Sequence, residues 1–129
     1  FFIFETWRPW EKEVLHSLLK ESEIKNYIIH ETEDPREALY LTSKCDLTLG
    51  ISYHFIVFSL QLGIPTIAIY TGEYYRSKME GLLEWYNKKD WCISIQEMTP
   101  NCLFNKCKLL IETNASEKNI LKQKTELMS

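Results

Sequence analysis

This chain has little that would mark a secreted, membrane-borne or nucleic-acid-binding protein. Its four cysteines, Cys45, Cys92, Cys102 and Cys107, are unevenly spaced and include no Cys-x-x-Cys pair. A zinc site therefore has no ligand spacing to rest on, and reduced thiols of a cytoplasmic protein fit better. There is no basic excess: 15 Lys+Arg against 18 Asp+Glu leave a net charge of -3 at pH 7, which denies the chain a general surface for nucleic acid. There is no unbroken apolar run of membrane length. Residues 47–70 come nearest, but Ser52, His54, Gln61, Gly63 and Pro65 divide them by strand, helix and turn signals. Residues 1–5 have no basic flank before them and no cleavage-like site after them, so they are not a signal peptide. With no initiator methionine the chain opens inside a strand, and upstream sequence is expected. Gly/Ser-rich linkers and internal repeats are also lacking, so residues 1–129 are expected to form a single domain.

What is present is an alternation of short apolar runs with amphipathic stretches, the pattern of βα units in a parallel sheet flanked by helices. Strands are expected at 1–5, 27–30, 47–50, 66–70 and 91–95. A helix should start near Pro9 and carry Trp10, Val14, Leu15 and Leu18 inward, with Glu11, Glu13 and Lys20 outward. A second begins at Asp34-Pro35, an N-cap followed by proline at N1, and runs to about Lys44. The third, 53–62, is apolar nearly all round through Phe55, Ile56, Val57, Phe58 and Leu60, and ends at Gly63 and Pro65. A fourth, 74–86, lines up Tyr75, Met79, Leu82 and Tyr86, and Gly81 within it suggests close backbone packing. From Thr99 onward the pattern is helical, with Asn114-Ala115-Ser116-Glu117 able to restart a last helix in the 99–129 region.

Ligands of an open parallel sheet sit at the carboxyl edge of its strands. The segments to inspect are therefore Thr6-Trp7-Arg8, Glu31-Thr32-Glu33, Ile51-Ser52-Tyr53-His54 and Thr71-Gly72-Glu73-Tyr74-Tyr75. Ser52 is a good N-cap, which puts His54 in the first helical turn, beside free N–H groups and the positive end of the helix dipole. A histidine there can bind an anion or move a proton, or act only as a structural hydrogen-bonder. Arg76 and Lys78 oppose the dipole of the following helix, a placement an anion would make easier to understand. Lys78 has a plainer alternative in a solvated face or a pairing with Glu73 or Glu84, and Tyr74 and Tyr75 in packing. Glu31, Glu33 and Asp34 form a carboxylate group in which Asp34 already caps a helix. His16 and His30 carry no motif.

Asp46 to Gly50, Ser52-Tyr53-His54, Phe58-Ser59-Leu60, Leu62-Gly63-Ile64-Pro65 and Tyr74-Tyr75-x-x-Lys78-x-x-Gly81-Leu82 together resemble the polysaccharide pyruvyl transferase family over roughly 33–86. The resemblance implies one Rossmann-like half, the C-terminal one, of a GT-B-like protein whose N-terminal half lies elsewhere. It also implies transfer of a pyruvyl group from phosphoenolpyruvate to a sugar hydroxyl, as a ketal, in bacterial surface polysaccharide synthesis. His54 matches the family histidine and becomes the expected catalytic residue, and Lys78 is carried over with it; Lys78 and, from their place at the sheet edge, Ser52, Tyr53, Glu73, Tyr74 and Tyr75 are the expected substrate-binding residues. Neither a metal nor a cofactor is implied beyond the phosphoenolpyruvate donor. Many relatives carry arginine two positions before that histidine, where this chain has Ser52; Lys78, Arg76 or a residue of the missing half would replace the charge. Two other readings remain open, a GT-B glycosyltransferase half that binds a nucleotide sugar at the same helix and a non-catalytic docking module. A lone half would expose an apolar face and could self-associate.

Overall fold

A computed structural model describes residues 2–4, 9–22, 25–30 and 34–128. They cluster into two compact units, Phe1–Leu41 and Thr42–Ser129. In the first, β1 (Phe2–Phe4) and β2 (Ile28–His30) pair in parallel, Phe2 opposite Ile28 and Phe4 opposite His30, with α1 (Pro9–Glu21) connecting them. α2 (Pro35–Ser43) follows. Its start is as the sequence reads, because Asp34 accepts from the Arg36 backbone N–H at 2.9 Å and satisfies a donor that the helix leaves open. The Arg36 side chain also bonds this carboxylate and holds it below the usual carboxylate range.

The inward stripe expected of α1 is corrected. Val14 and Leu18 are 49% and 58% exposed while Leu19 is only 6% exposed, so the buried line is turned from the one the periodicity picked. The side chains of Trp10 and Leu15 lie outside the described residues, as do the loops Thr6-Trp7-Arg8 and Glu31-Thr32-Glu33.

The second unit is a β3–β4–β5 parallel sheet with helical crossovers: β3 (Thr48–Gly50), α3 (Tyr53–Gln61), β4 (Thr66–Tyr70), α4 (Gly72–Trp85), a 3₁₀ turn (Lys89–Trp91) and β5 (Cys92–Ser94). Register runs Thr48 to Thr66 and Gly50 to Ala68 on one side of β4, and Ala68 to Cys92 and Tyr70 to Ser94 on the other. Central β4 has Ile67, Ala68 and Ile69 all buried, as a strand covered on both faces should. Ile56 and Leu60 from α3, Met79, Leu83 and Tyr86 at α4, Trp91 and Ile93 around β5, Leu110 of α5 (Pro100–Glu112) and Leu121 of α6 (Asn114–Met128) complete one core. The expected restart at Asn114 is where α6 begins. Lys88 ties α6 to the turn after α4: its Nζ lies 2.6 Å from Glu117 Oε2 and 5.2 Å from the centre of the Trp91 ring.

β4 spans the expected 66–70, and β2, β3 and β5 are the expected strands shortened by a residue at one or both ends, Trp91 passing from strand to 3₁₀ turn; residues 1 and 5, the expected ends of the first strand, lie outside the described residues. α3 ends as its Gly63 demands. With φ of 78°, Gly63 donates to Leu60 O and Ile64 donates to Ser59 O, closing the helix in a left-handed cap that a residue with a Cβ would strain. The helix is fully covered only along Ile56, Ser59 and Leu60; Phe58 is exposed.

Two features of α4 differ from expectation. It starts at Gly72 rather than 74, so Glu73 joins Tyr74 and Tyr75 in its first turn, and Tyr75 is half exposed rather than part of the buried stripe. Gly81 faces solvent, and a Cβ there would meet nothing within 4 Å, so close packing does not explain it. Gly81→Ala therefore stabilises the fold by about 1 kcal/mol through helix propensity alone. A higher urea midpoint at unchanged slope verifies this; a lower midpoint contradicts it.

Candidate functional site

β3 and β4 are adjacent and parallel, so α3 and α4 both begin at the same carboxyl edge of the sheet. Gly50, last residue of β3, lets α3 approach: a Cβ on it would come within 3.0 Å of the Phe55 ring. Ser52 is the N-cap of α3, with extended φ and ψ of -82° and 123°, but its hydroxyl makes no capping bond. The helix's own ladder begins with Ile56 N–H donating to Ser52 O at 3.1 Å, which leaves the Tyr53 and His54 N–H groups without helical acceptors. Thr71, the N-cap of α4, likewise caps nothing with its side chain. By contrast Thr99 does cap α5, accepting from Cys102 N–H at 3.1 Å, and Asp34 caps α2. The positive ends of α3 and α4 thus share one rim with their side-chain caps unused.

The side chains there form a contiguous group. Tyr53 meets His54 edge to face with ring centres 5.8 Å apart. Lys78 Nζ lies 4.8 Å from the centre of the Tyr53 ring. It is also 5.2 Å from that of Tyr74, and Tyr74 meets Tyr75 edge to face at 5.2 Å. His54 is exposed, and its side chain makes no hydrogen bond among the described residues. The expected residues Ser52, Tyr53, His54, Tyr74, Tyr75 and Lys78 are therefore gathered at one edge.

The two cations of α4 are in different states. Arg76 is held between Glu73, at 3.5 Å, and Glu80, at 3.0 Å, and these carboxylates, Glu80 first, raise its pKa above the ordinary value. Glu73 is thus engaged with Arg76 on the helix surface. The i,i+4 spacing of Arg76 and Glu80 was a legible signal for this pairing. Lys78 enters no ion pair among the described residues, and pairs with neither Glu73 nor Glu84. Only it can supply unspent positive charge at the rim from α4.

No group of three His, Cys, Asp or Glu side chains is placed to hold a metal ion among the described residues. No disulfide joins the four cysteines, and burial pushes the Cys92 thiol up to about 11, which keeps it protonated and a poor nucleophile near neutral pH. No helix among the described residues is long and apolar enough to cross a membrane.

A family model described as polysaccharide pyruvyl transferase matches residues 3–73, more than half of the chain. The match begins well before residue 33 and ends before residue 86, the limits of the resemblance read from the sequence. It includes Ser52, Tyr53 and His54, and stops just short of Tyr74, Tyr75 and Lys78. Comparisons with curated proteins and with solved structures return no match.

Proposed function

Because the chain belongs to the polysaccharide pyruvyl transferase family, we propose that the shared rim of α3 and α4 binds phosphoenolpyruvate and passes its pyruvyl group to a sugar diol. The observation that carries this reading is the pair of helix starts with unused side-chain caps beside an ammonium free of any carboxylate. Backbone N–H groups and a helix dipole suit a phosphate or carboxylate, and Lys78 adds a full charge where Ser52 replaces arginine. A charge-assisted hydrogen bond of this kind is worth about 1.5–3 kcal/mol.

His54 stands at N2 of α3 with its ring in solvent, placed to act on whatever the helix end holds. Ketal formation needs two proton movements. One sugar hydroxyl adds to C2 of the enol phosphate as its methylene carbon takes up a proton, making a methyl group. The second hydroxyl then bonds to the same carbon as the C–O bond to phosphate breaks, and inorganic phosphate leaves with the second proton. His54 serves as the acid that protonates the methylene carbon and as the base that receives a hydroxyl proton. Tyr75, half exposed beside the rim, offers an aromatic face to the acceptor sugar.

Titrating the ¹⁵N-labelled protein with phosphoenolpyruvate, in parallel with a panel of nucleotide sugars, tests the reading. Shifts concentrated at the amides of Tyr53 and His54 and along the first two turns of α4, with phosphoenolpyruvate alone, support it. A nucleotide sugar moving those amides while phosphoenolpyruvate does not would overturn it.

A further inference from the structure

Lys78 stands on the second turn of an exposed helix face, where a lysine ordinarily samples many rotamers, yet its ammonium sits against two aromatic rings from two helices. We infer that Tyr53 and Tyr74 are positioning residues, an aromatic clamp that holds the Lys78 ammonium at the α3 start. This inference rests on the reading of that rim as the donor site.

The two contacts have different origins. Tyr74 and Lys78 are four residues apart on α4, so their contact at 5.2 Å follows from helix geometry. Tyr53 is the first residue of α3, and its ring reaches Lys78 at 4.8 Å only because the two helices pack side by side. Both distances lie inside the roughly 6 Å range over which a ring face attracts a cation. The rings are themselves braced. Tyr74 has Tyr75 against it at an interplanar angle of 80°, and Tyr53 has His54 at 86°.

The clamp solves a problem set by the sequence. A cation beside two positive helix ends is repelled until an anion arrives, and an unpaired lysine would swing into water. A carboxylate partner would hold it but would also cancel its charge, as Glu73 and Glu80 do for Arg76. Ring faces hold the ammonium and leave its charge and its N–H groups for a ligand. Tyr53 then orders both the cation and the proton carrier next to it.

The test has a readout that needs no ligand. Lysines of the intact protein are reductively ¹³C-methylated, and the Lys78 signal is assigned by its loss in Lys78→Met. Ring currents should place that signal upfield of exposed lysines in the wild type and in Tyr53→Phe, which keeps the ring. It should move toward the exposed-lysine position in Tyr53→Leu and further in Tyr53→Leu/Tyr74→Leu. Phosphoenolpyruvate affinity of unmethylated protein should fall about tenfold in Tyr53→Leu and in Lys78→Met, hold in Tyr53→Phe, and fall no further when Tyr53→Leu is added to Lys78→Met.

A Lys78 signal at the exposed-lysine position in the wild type overturns the clamp, whatever binds and whether or not the leucine variants fold. Equal losses for Tyr53→Leu with and without Lys78 also overturn it, since Tyr53 would then act on the donor independently of Lys78. An upfield Lys78 signal in a wild type that fails to bind phosphoenolpyruvate leaves the clamp standing and removes the donor reading instead.

Discussion

His54→Ala lowers the turnover of phosphoenolpyruvate and a sugar acceptor by roughly 10²- to 10⁴-fold, the range lost when a positioned proton-transfer group is removed. The fall should lie in kcat with little change in KM. His54 is exposed at N2, and the proposed site assigns the anion to the helix-end N–H groups and Lys78 instead, so its removal should spare the ground-state complex. His54→Gln keeps a hydrogen-bonding side chain but cannot exchange a proton at neutral pH, and should be as impaired as alanine. Initial rates of phosphate release across phosphoenolpyruvate concentrations decide the matter. An unchanged kcat would reduce His54 to a structural residue, and a pure rise in KM would make it a donor-binding group.

Leu60→Ala costs about 3–5 kcal/mol of folding stability, measured by urea unfolding. Leu60 has no exposed surface and lies in the core where α3 meets the sheet. Truncation removes buried apolar atoms and leaves a cavity that a close-packed interior fills only in part. Set against a total of about 5–15 kcal/mol for a typical domain, that loss threatens the folded state itself. Its consequence for the rim is specific, because Leu60 anchors the helix whose first turn carries Tyr53 and His54. Activity should therefore fail at lower temperature than in the wild type while remaining near normal where the variant is still folded. A loss below 1 kcal/mol would mean that α3 is not seated on the core as described.

Local chemistry was legible in the sequence wherever one residue decided the outcome. Asp34-Pro35 announced the start of α2, Gly63 and Pro65 the end of α3, and the apolar runs all five strands to within a residue or two. Choices that depend on packing were not legible. The apolar surface of α1 is broad, and periodicity could not say that Leu19 rather than Val14 or Leu18 would be covered. Thr71-Gly72 reads as a turn, yet the left-handed φ of 76° at Gly72 is accommodated in the first residue of α4 itself, so the helix begins two residues early. Gly81 was read through its cost, and the cost has no packing counterpart.

The rim shows the same division. Ser52, Tyr53 and His54 could be set at a helix start from their order alone, and the acidic partners of Arg76 from their spacing. That Ser52 would leave its capping bond unmade could not be read, nor that Tyr53 would reach across to Lys78. Both depend on how α3 and α4 lie on neighbouring strands, which a linear pattern does not encode.

The most direct test of the proposed chemistry is acceptor-dependent release of inorganic phosphate from phosphoenolpyruvate by the protein carrying this chain, with the sugar product examined by NMR. The account predicts one phosphate released for each pyruvyl ketal formed, and none without a diol acceptor. A folded protein that binds phosphoenolpyruvate at the α3–α4 rim yet forms no ketal with any sugar diol, or that releases phosphate equally without one, would contradict it.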